Sequence, residues 1–233
     1  MHKLIYFSIL FILLNCVFNY KKLKMFSLCS TLASILGIFA LSIYGFLRIG
    51  TDIVNVLVFI SITIYLGYLL LNKIKENYLI KDNALDILIL IIKMLAYCVL
   101  VLALIKYINL VFIVNIKTYY LICISCGIGG LFAIFTAVLF EPMFKLRIEK
   151  NKILYVIYVF VLSFLVSFSG ILSIYTKRLL GVFVGCLVLL FANILKLVNI
   201  KIKNDKINHL MNLVVLFLEF LFQVILAINI YIL

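Results

Sequence analysis

The stretch Tyr119-Tyr120-Leu121-Ile122-Cys123-Ile124-Ser125-Cys126-Gly127-Ile128-Gly129-Gly130 opens a run of apolar residues that continues to Phe140. Behind it come Glu141, the only proline of the protein (Pro142), and a basic turn through Lys152. The apolar part is long enough to cross a hydrocarbon core ~30 Å thick, which takes roughly 20 helical residues at ~1.5 Å each. Similar runs of about 17 to 25 residues recur along the whole chain. Tyr119–Phe140 therefore reads as the fifth of eight transmembrane helices. The whole stretch Tyr119–Lys152, this helix with the charged turn behind it, divides the chain and reads as the hinge region of two four-helix halves, 1–117 and 118–233.

Composition points the same way. Of the 233 residues, 68% are hydrophobic and only 12% charged, too few polar groups to cover the outside of a soluble domain. The apolar runs are continuous rather than alternating, and lipid offers no partner to an open backbone group. Helices are expected, not barrel strands. The fold class is all-α, a polytopic integral membrane protein. A net charge of +13 would suit nucleic acid, but the lysines sit in short clusters between apolar runs. That is topology-setting charge, and no nucleic-acid partner is expected.

The predicted spans are Leu4–Tyr20, Met25–Leu47, Ile53–Asn72, Ala84–Ile105, Tyr119–Phe140, Ile153–Tyr175, Leu179–Leu195 and His209–Leu233. No small-x-small cleavage site follows the first, and Asn15 precedes Cys16 where a lipoprotein signal needs a small residue, so this span is expected to be retained. The loops after spans one, three, five and seven carry Lys21, Lys22 and Lys24; Lys73, Lys75 and Lys81; Lys145, Arg147, Lys150 and Lys152; and Lys196, Lys201, Lys203 and Lys206. The opposite side has Lys3, Arg48, Lys106, Lys117, Lys177 and Arg178. By the positive-inside rule the heavily basic loops are cytoplasmic and both termini face outward, the expected location being the cell (inner) membrane. No loop exceeds about a dozen residues, which leaves no room for an ATPase module or a soluble catalytic domain.

Short echoes match between the halves. Ser34-x-x-Gly37 and Leu41-Ser42-Ile43-Tyr44 are answered by Ser167-x-x-Gly170 and Leu172-Ser173-Ile174-Tyr175. Since four helices return the chain to its starting side, such halves would be parallel repeats about an axis normal to the membrane.

Lys93 and Glu219 are the only ionisable residues placed deep in predicted spans, and an unpaired charge there costs roughly 2.5 to 3.5 kcal/mol or more. They stand nine and ten residues into spans that start on the same side, about 14 and 15 Å deep. A contact across the interface of the halves is expected. Two roles fit it: an ion pair that sets helix register, and a substrate, ion or proton site. Asp86 falls in the first turn of its helix behind Asn83 as N-cap, where the helix dipole suits a carboxylate. His2 and His209 are on opposite faces, so no shared metal or haem is expected, and no cofactor. Cys123-Ile124-Ser125-Cys126 is a C-x-x-C, read first as packing and second as a thiol pair.

Gly127, Gly129 and Gly130 either admit a neighbouring helix or open the backbone to a polar cavity. The packing reading extends to Cys126-x-x-x-Gly130, Gly181-x-x-x-Gly185 and Ser163-x-x-x-Ser167. Asn193, Asn212, Gln223 and Asn229 are expected to donate hydrogen bonds between helices, and Pro142 to end the fifth span.

The Gly127-x-Gly129-Gly130 run in the opening helix of a half, with two four-helix halves and this length, resembles the TauE/SafE family of membrane exporters for sulfite and organosulfonates. The resemblance implies an exporter of small anions. Two functions are therefore expected in competition. One is a small transporter or permease for a small solute, an anion being the natural counter-charge to Lys93, with Lys93, Glu219, Gly127, Gly129 and Gly130 at its binding site. The other is a non-catalytic membrane subunit of a larger complex, such as the membrane partner of an ATPase or assembly machine. The expected partners are the lipid bilayer, a small solute, and further copies of the chain or partner membrane subunits. An enzyme is not expected, because no metal-ligand pair and no Ser-His or His-Cys arrangement is found.

Overall fold

The computed structural model describes residues 2–21, 23–49, 52–78, 83–111, 116–136, 138, 152–199 and 205–229. They form eight α-helices: α1 His2–Tyr20, α2 Lys24–Ile49, α3 Ile53–Tyr78, α4 Asn83–Val111, α5 Ile116–Phe135, α6 Lys152–Tyr175, α7 Leu180–Asn199 and α8 Asp205–Asn229. A single 3-10 turn, Lys177–Leu179, joins α6 to α7, and there is no strand among the described residues. Seven of these helices are long and apolar enough to cross a membrane, while the apolar part of α5, Tyr119–Phe135, is shorter. The predicted end of that span at Phe140 and the hinge, with Glu141, Pro142, Lys145, Arg147 and Lys150, lie outside the described residues, as do Lys22, Lys81, Lys201 and Lys203.

The surface confirms what the helices contact. Leu36, Leu47, Ile153 and Ile174 are between 65% and 80% exposed, a state that lipid tails tolerate and water does not. The chain is an all-α integral membrane protein.

Two boundaries differ from the predicted ones in ways that matter. α3 runs six residues past Asn72, because the polar tail has no Gly or Pro to stop it and supports its own last turns. Asn72 donates to Glu76 at 3.0 Å and Lys73 lies 3.7 Å from the same carboxylate, the spacing at which helical side chains meet. Lys73 and Lys75, expected in a loop, are therefore helical, and Lys73 is buried. α8 likewise starts four residues early, with Asp205 in its first turn where the dipole favours a carboxylate.

Each helix packs on its chain neighbour from α1 to α4 and again from α5 to α8. The main contacts between the two series are those of α8 with α1, α2 and α3 and of α4 with α6. The helix α8 is thus surrounded, and its inner half buries Glu219, Phe220, Phe222, Gln223, Val224, Leu226 and Ala227. Lipid is as apolar as leucine, so close packing and hydrogen bonds, not water exclusion, hold such helices together. Ser61 supplies one such bond, donating across the α3–α4 seam to the Ala96 carbonyl at 2.8 Å.

Glycine packing is present, but on a different face of α5 from the one expected. Ser125 and Gly129, not Cys126 and Gly130, press on α6: Ser125 is fully buried, its carbonyl accepts from Ser167 at 3.3 Å, and a Cβ at Gly129 would meet the Phe164 backbone nitrogen at 3.1 Å. A Cβ at Gly127 or Gly130 would meet nothing within 4 Å. Since backbone yields less than a side-chain tip, Gly129→Ala should destabilise by about 1–3 kcal/mol, and Gly127→Ala should gain slightly from helix propensity. Thermal unfolding of the two variants in detergent checks this; equal Tm values would rule out the close α5–α6 approach.

Candidate functional site

Lys93 of α4 and Glu219 of α8 meet at 2.7 Å, Nζ to Oε1, and each residue is 3% exposed. Lys93 stands ten residues beyond Asn83 and Glu219 fourteen beyond Asp205, about 15 and 21 Å along their helices. The flexible lysine stem spans the mismatch. Two further bonds complete the pair. The Tyr68 hydroxyl on α3 donates to Glu219 Oε1 at 3.1 Å, and Lys93 Nζ donates to Asn193 Oδ1 on α7 at 3.2 Å. Asn193 also accepts from the Tyr158 hydroxyl on α6 and anchors its own amide on the Leu189 carbonyl at 2.7 Å.

Aromatic faces enclose the ammonium. Its nitrogen is 4.8 Å from the ring centroid of Tyr68, 5.6 Å from Tyr158 and 5.9 Å from Tyr65, within the ~6 Å over which a ring quadrupole attracts a cation. Tyr65 continues the cluster inward through Tyr97 at 5.9 Å and Phe222 at 5.7 Å. All three rings are buried. The cluster was not picked out from sequence, although its spacing was visible: Tyr65, Tyr68 and Asn72 recur at one helical face, as do Lys93 with Tyr97 and Tyr155 with Tyr158.

Two cavities reach the pair, and both are lined from the same end of the bundle, the one bearing the basic loops. One of about 560 Å³ ends on Lys93, with Tyr68, Tyr155, Tyr158, Asn193 and Lys75 in its wall. The other, about 450 Å³, ends on Glu219, with Lys73, His209, Asn19 and Asn212 in its wall. Asn72, Glu76 and Lys196 line both. At the mouth, Asp86 in the first turn of α4 is paired with Lys75 of α3, a second use for a carboxylate that the helix dipole already favoured.

The remaining expected site residues fall elsewhere. Gly127, Gly129 and Gly130 line neither cavity; Gly129 is a contact of α5 with α6. The polar residues of the later spans do not act as predicted. Between helices Asn193 accepts, its amide donating only within α7; Asn212 accepts from Asn199 at 2.8 Å, and Asn229 donates within its own helix to Ile225 at 2.7 Å. Neither amide atom of Gln223 has a hydrogen-bond partner among the described residues. His209 approaches the carbonyl of Asn19 at 3.1 Å. Cys123 and Cys126 are exposed, free thiols. No group of three His, Cys, Asp or Glu side chains able to hold a metal occurs among the described residues.

A polar seam between α1 and α2, unforeseen from sequence, borders the second cavity. Asn15 Oδ1 accepts from Ser30 at 3.1 Å and Thr31 at 3.0 Å, Asn19 accepts from Ser27 at 2.7 Å, and Lys73 donates to Asn19. Chemically, the arrangement holds a pair of opposite charges. It offers a cation in an aromatic cage, a carboxylate against it, and a polar approach to each. No family model, curated protein or solved structure matches this chain.

Proposed function

We propose that the protein is a small transporter or permease that binds a small anionic solute at Lys93, with Glu219 as the coupling carboxylate. One observation carries the reading: a buried ion pair has each of its members in the wall of a different cavity, and charged and amide side chains from one end of the bundle share those walls. An intramembrane charge that faces a cavity as well as its partner is a mark of a substrate, ion or proton pathway. On the positive-inside rule, that side is cytoplasmic and both termini face out in the cell membrane.

Two parallel halves fit this site. Exchanging the halves carries the α4–α6 contact onto α8–α2, and the Tyr68–Glu219 bond between α3 and α8 onto Asn193–Lys93 between α7 and α4. Such crossing contacts support a repeat whose axis passes by the ion pair, where paired-repeat transporters bind their solutes. The anion exporters that the glycine run resembles are one form such a protein takes.

A second reading, a non-catalytic subunit of a larger membrane complex, is favoured by α5. That helix packs principally on α6 and leaves Tyr119, Leu131 and Phe132 more than half exposed, a face that a partner subunit would cover.

Liposomes holding the purified chain alone separate the two. The transporter should move a small anion such as chloride, sulfite or acetate at least tenfold faster than protein-free liposomes, with a C-terminal tag open to protease outside intact cells. A chain inert to every small anion tried would favour the subunit.

A further inference from the structure

We infer that the two cavities are separate routes to the two members of the ion pair, and that an anion arriving at Lys93 is taken up together with a proton arriving at Glu219. The inference rests on the transport reading and adds its coupling: symport, electroneutral for a monovalent anion.

The first ground is geometric. Lys93 lines the larger cavity and Glu219 does not, while Glu219 lines the smaller and Lys93 does not. Asn72, Glu76 and Lys196 form the wall between them. Because both cavities are lined from the same end of the bundle, both ligands come from one aqueous phase. Joint binding, rather than competition for one place, is what distinguishes symport from exchange, and two walls that each hold one member of the pair leave room for both ligands at once.

The second ground is charge. The ammonium and the carboxylate balance one another at 2.7 Å in a site that is nearly dry. An anion that takes Lys93 displaces Glu219, and the other cation that acts on that carboxylate, Lys196, stands beyond 4 Å of it, too far to replace the lost contact. A buried charge left without its partner would weaken anion binding on the order of a hundred- to thousandfold. A proton from water in the smaller cavity, added to a Glu219 oxygen, removes that penalty. Before the event the site holds ammonium and carboxylate; afterwards it holds ammonium, bound anion and a neutral carboxyl group, and its net charge is unchanged for a monovalent anion. The Tyr68 hydroxyl, 3.1 Å from the same oxygen, holds the carboxyl in place throughout.

The groups that face Glu219 fit this role. From α3 come Tyr65, Tyr68, Lys73 and Glu76, from α4 Lys93 and Tyr97, from α6 Tyr158 and from α7 Lys196. Its own helix adds His209 nearer the mouth, and the lining from α1 and α2, Asn19 and Ser27, is uncharged. Both cavities carry both signs of charge and amide groups, so water enters either; what sets the smaller apart is that Glu219 is in its wall and Lys93 is not.

Titration calorimetry on the full chain in nanodiscs tests the coupling, with chloride, acetate, lactate, sulfite and inorganic phosphate as probes. Repeating each titration in two buffers of different ionisation enthalpy counts protons. Binding of a monovalent probe should take up about one proton per anion, and its affinity should fall about tenfold for each unit of pH rise. Glu219→Gln, if it folds, should bind the same probe with no proton uptake; if it does not fold, the wild-type proton count and pH slope decide alone. Binding without proton uptake would overturn the coupling and leave the anion site standing. Binding of none of the five probes would remove the anion site itself, and the coupling with it.

Discussion

Lys93→Glu should abolish recovery of folded protein, and adding Glu219→Lys should restore most of it. The single change sets two carboxylates against each other where ammonium and carboxylate now stand at 2.7 Å. Breaking a buried pair costs about 3–5 kcal/mol, and like-charge repulsion adds to it, against a total stability of about 5–15 kcal/mol. The swapped pair regains the attraction, because the two side chains still reach one another across α4 and α8. Rescue should be incomplete for a local reason. Asn193 Oδ1 now accepts from Lys93 at 3.2 Å and would face a carboxylate, which costs about 1–3 kcal/mol unless the amide turns over. Fluorescence-detected gel filtration and Tm of the two single variants and the double variant provide the measurement. A double variant no better than either single one would show that the contact does not hold in the membrane.

Neutralising both partners separates structure from function. Lys93→Met with Glu219→Gln removes both charges, and replacing a whole buried pair is often neutral or stabilising by about 1–4 kcal/mol. The double variant should therefore melt at or above the wild-type temperature, while either single neutralisation melts well below it. Flux of anion in liposomes should nevertheless vanish, because neither a counter-charge nor a coupling carboxylate is left. Retained flux in a well-folded double variant would reduce Lys93 and Glu219 to register-setting residues and send the search for the site elsewhere.

Much of this was legible one residue at a time. The eight helices followed from runs of apolar residues, and the meeting of Lys93 with Glu219 followed from two charges that lipid penalises and that stand at similar depth. Residues whose chemistry suits either packing or binding were harder. The glycines of α5 were expected beside the pair, yet Gly129 meets Phe164 of α6 and Gly127 faces outward, since which side of a helix is covered depends on its neighbours. Asn193 could be seen as a polar group in an apolar helix, but its role as acceptor depends on Lys93 and Tyr158 arriving from α4 and α6. The tyrosine cage escaped notice because tyrosine carries no penalty in a membrane helix that would force a question about its partner.

Sequence alone determined that the chain lives in lipid as a bundle of helices, and that two opposite charges inside it need each other. Both follow from the cost of moving charge and open backbone out of water, a cost carried by each segment whatever surrounds it. Only the tertiary structure decided that α8 lies at the centre, that tyrosines from α3 and α6 wrap the ammonium, and that one cavity ends on Lys93 and another on Glu219. Those outcomes depend on how helices far apart in the chain turn their faces toward one another, and in an apolar solvent that choice rests on shape and a few hydrogen bonds rather than on hydropathy.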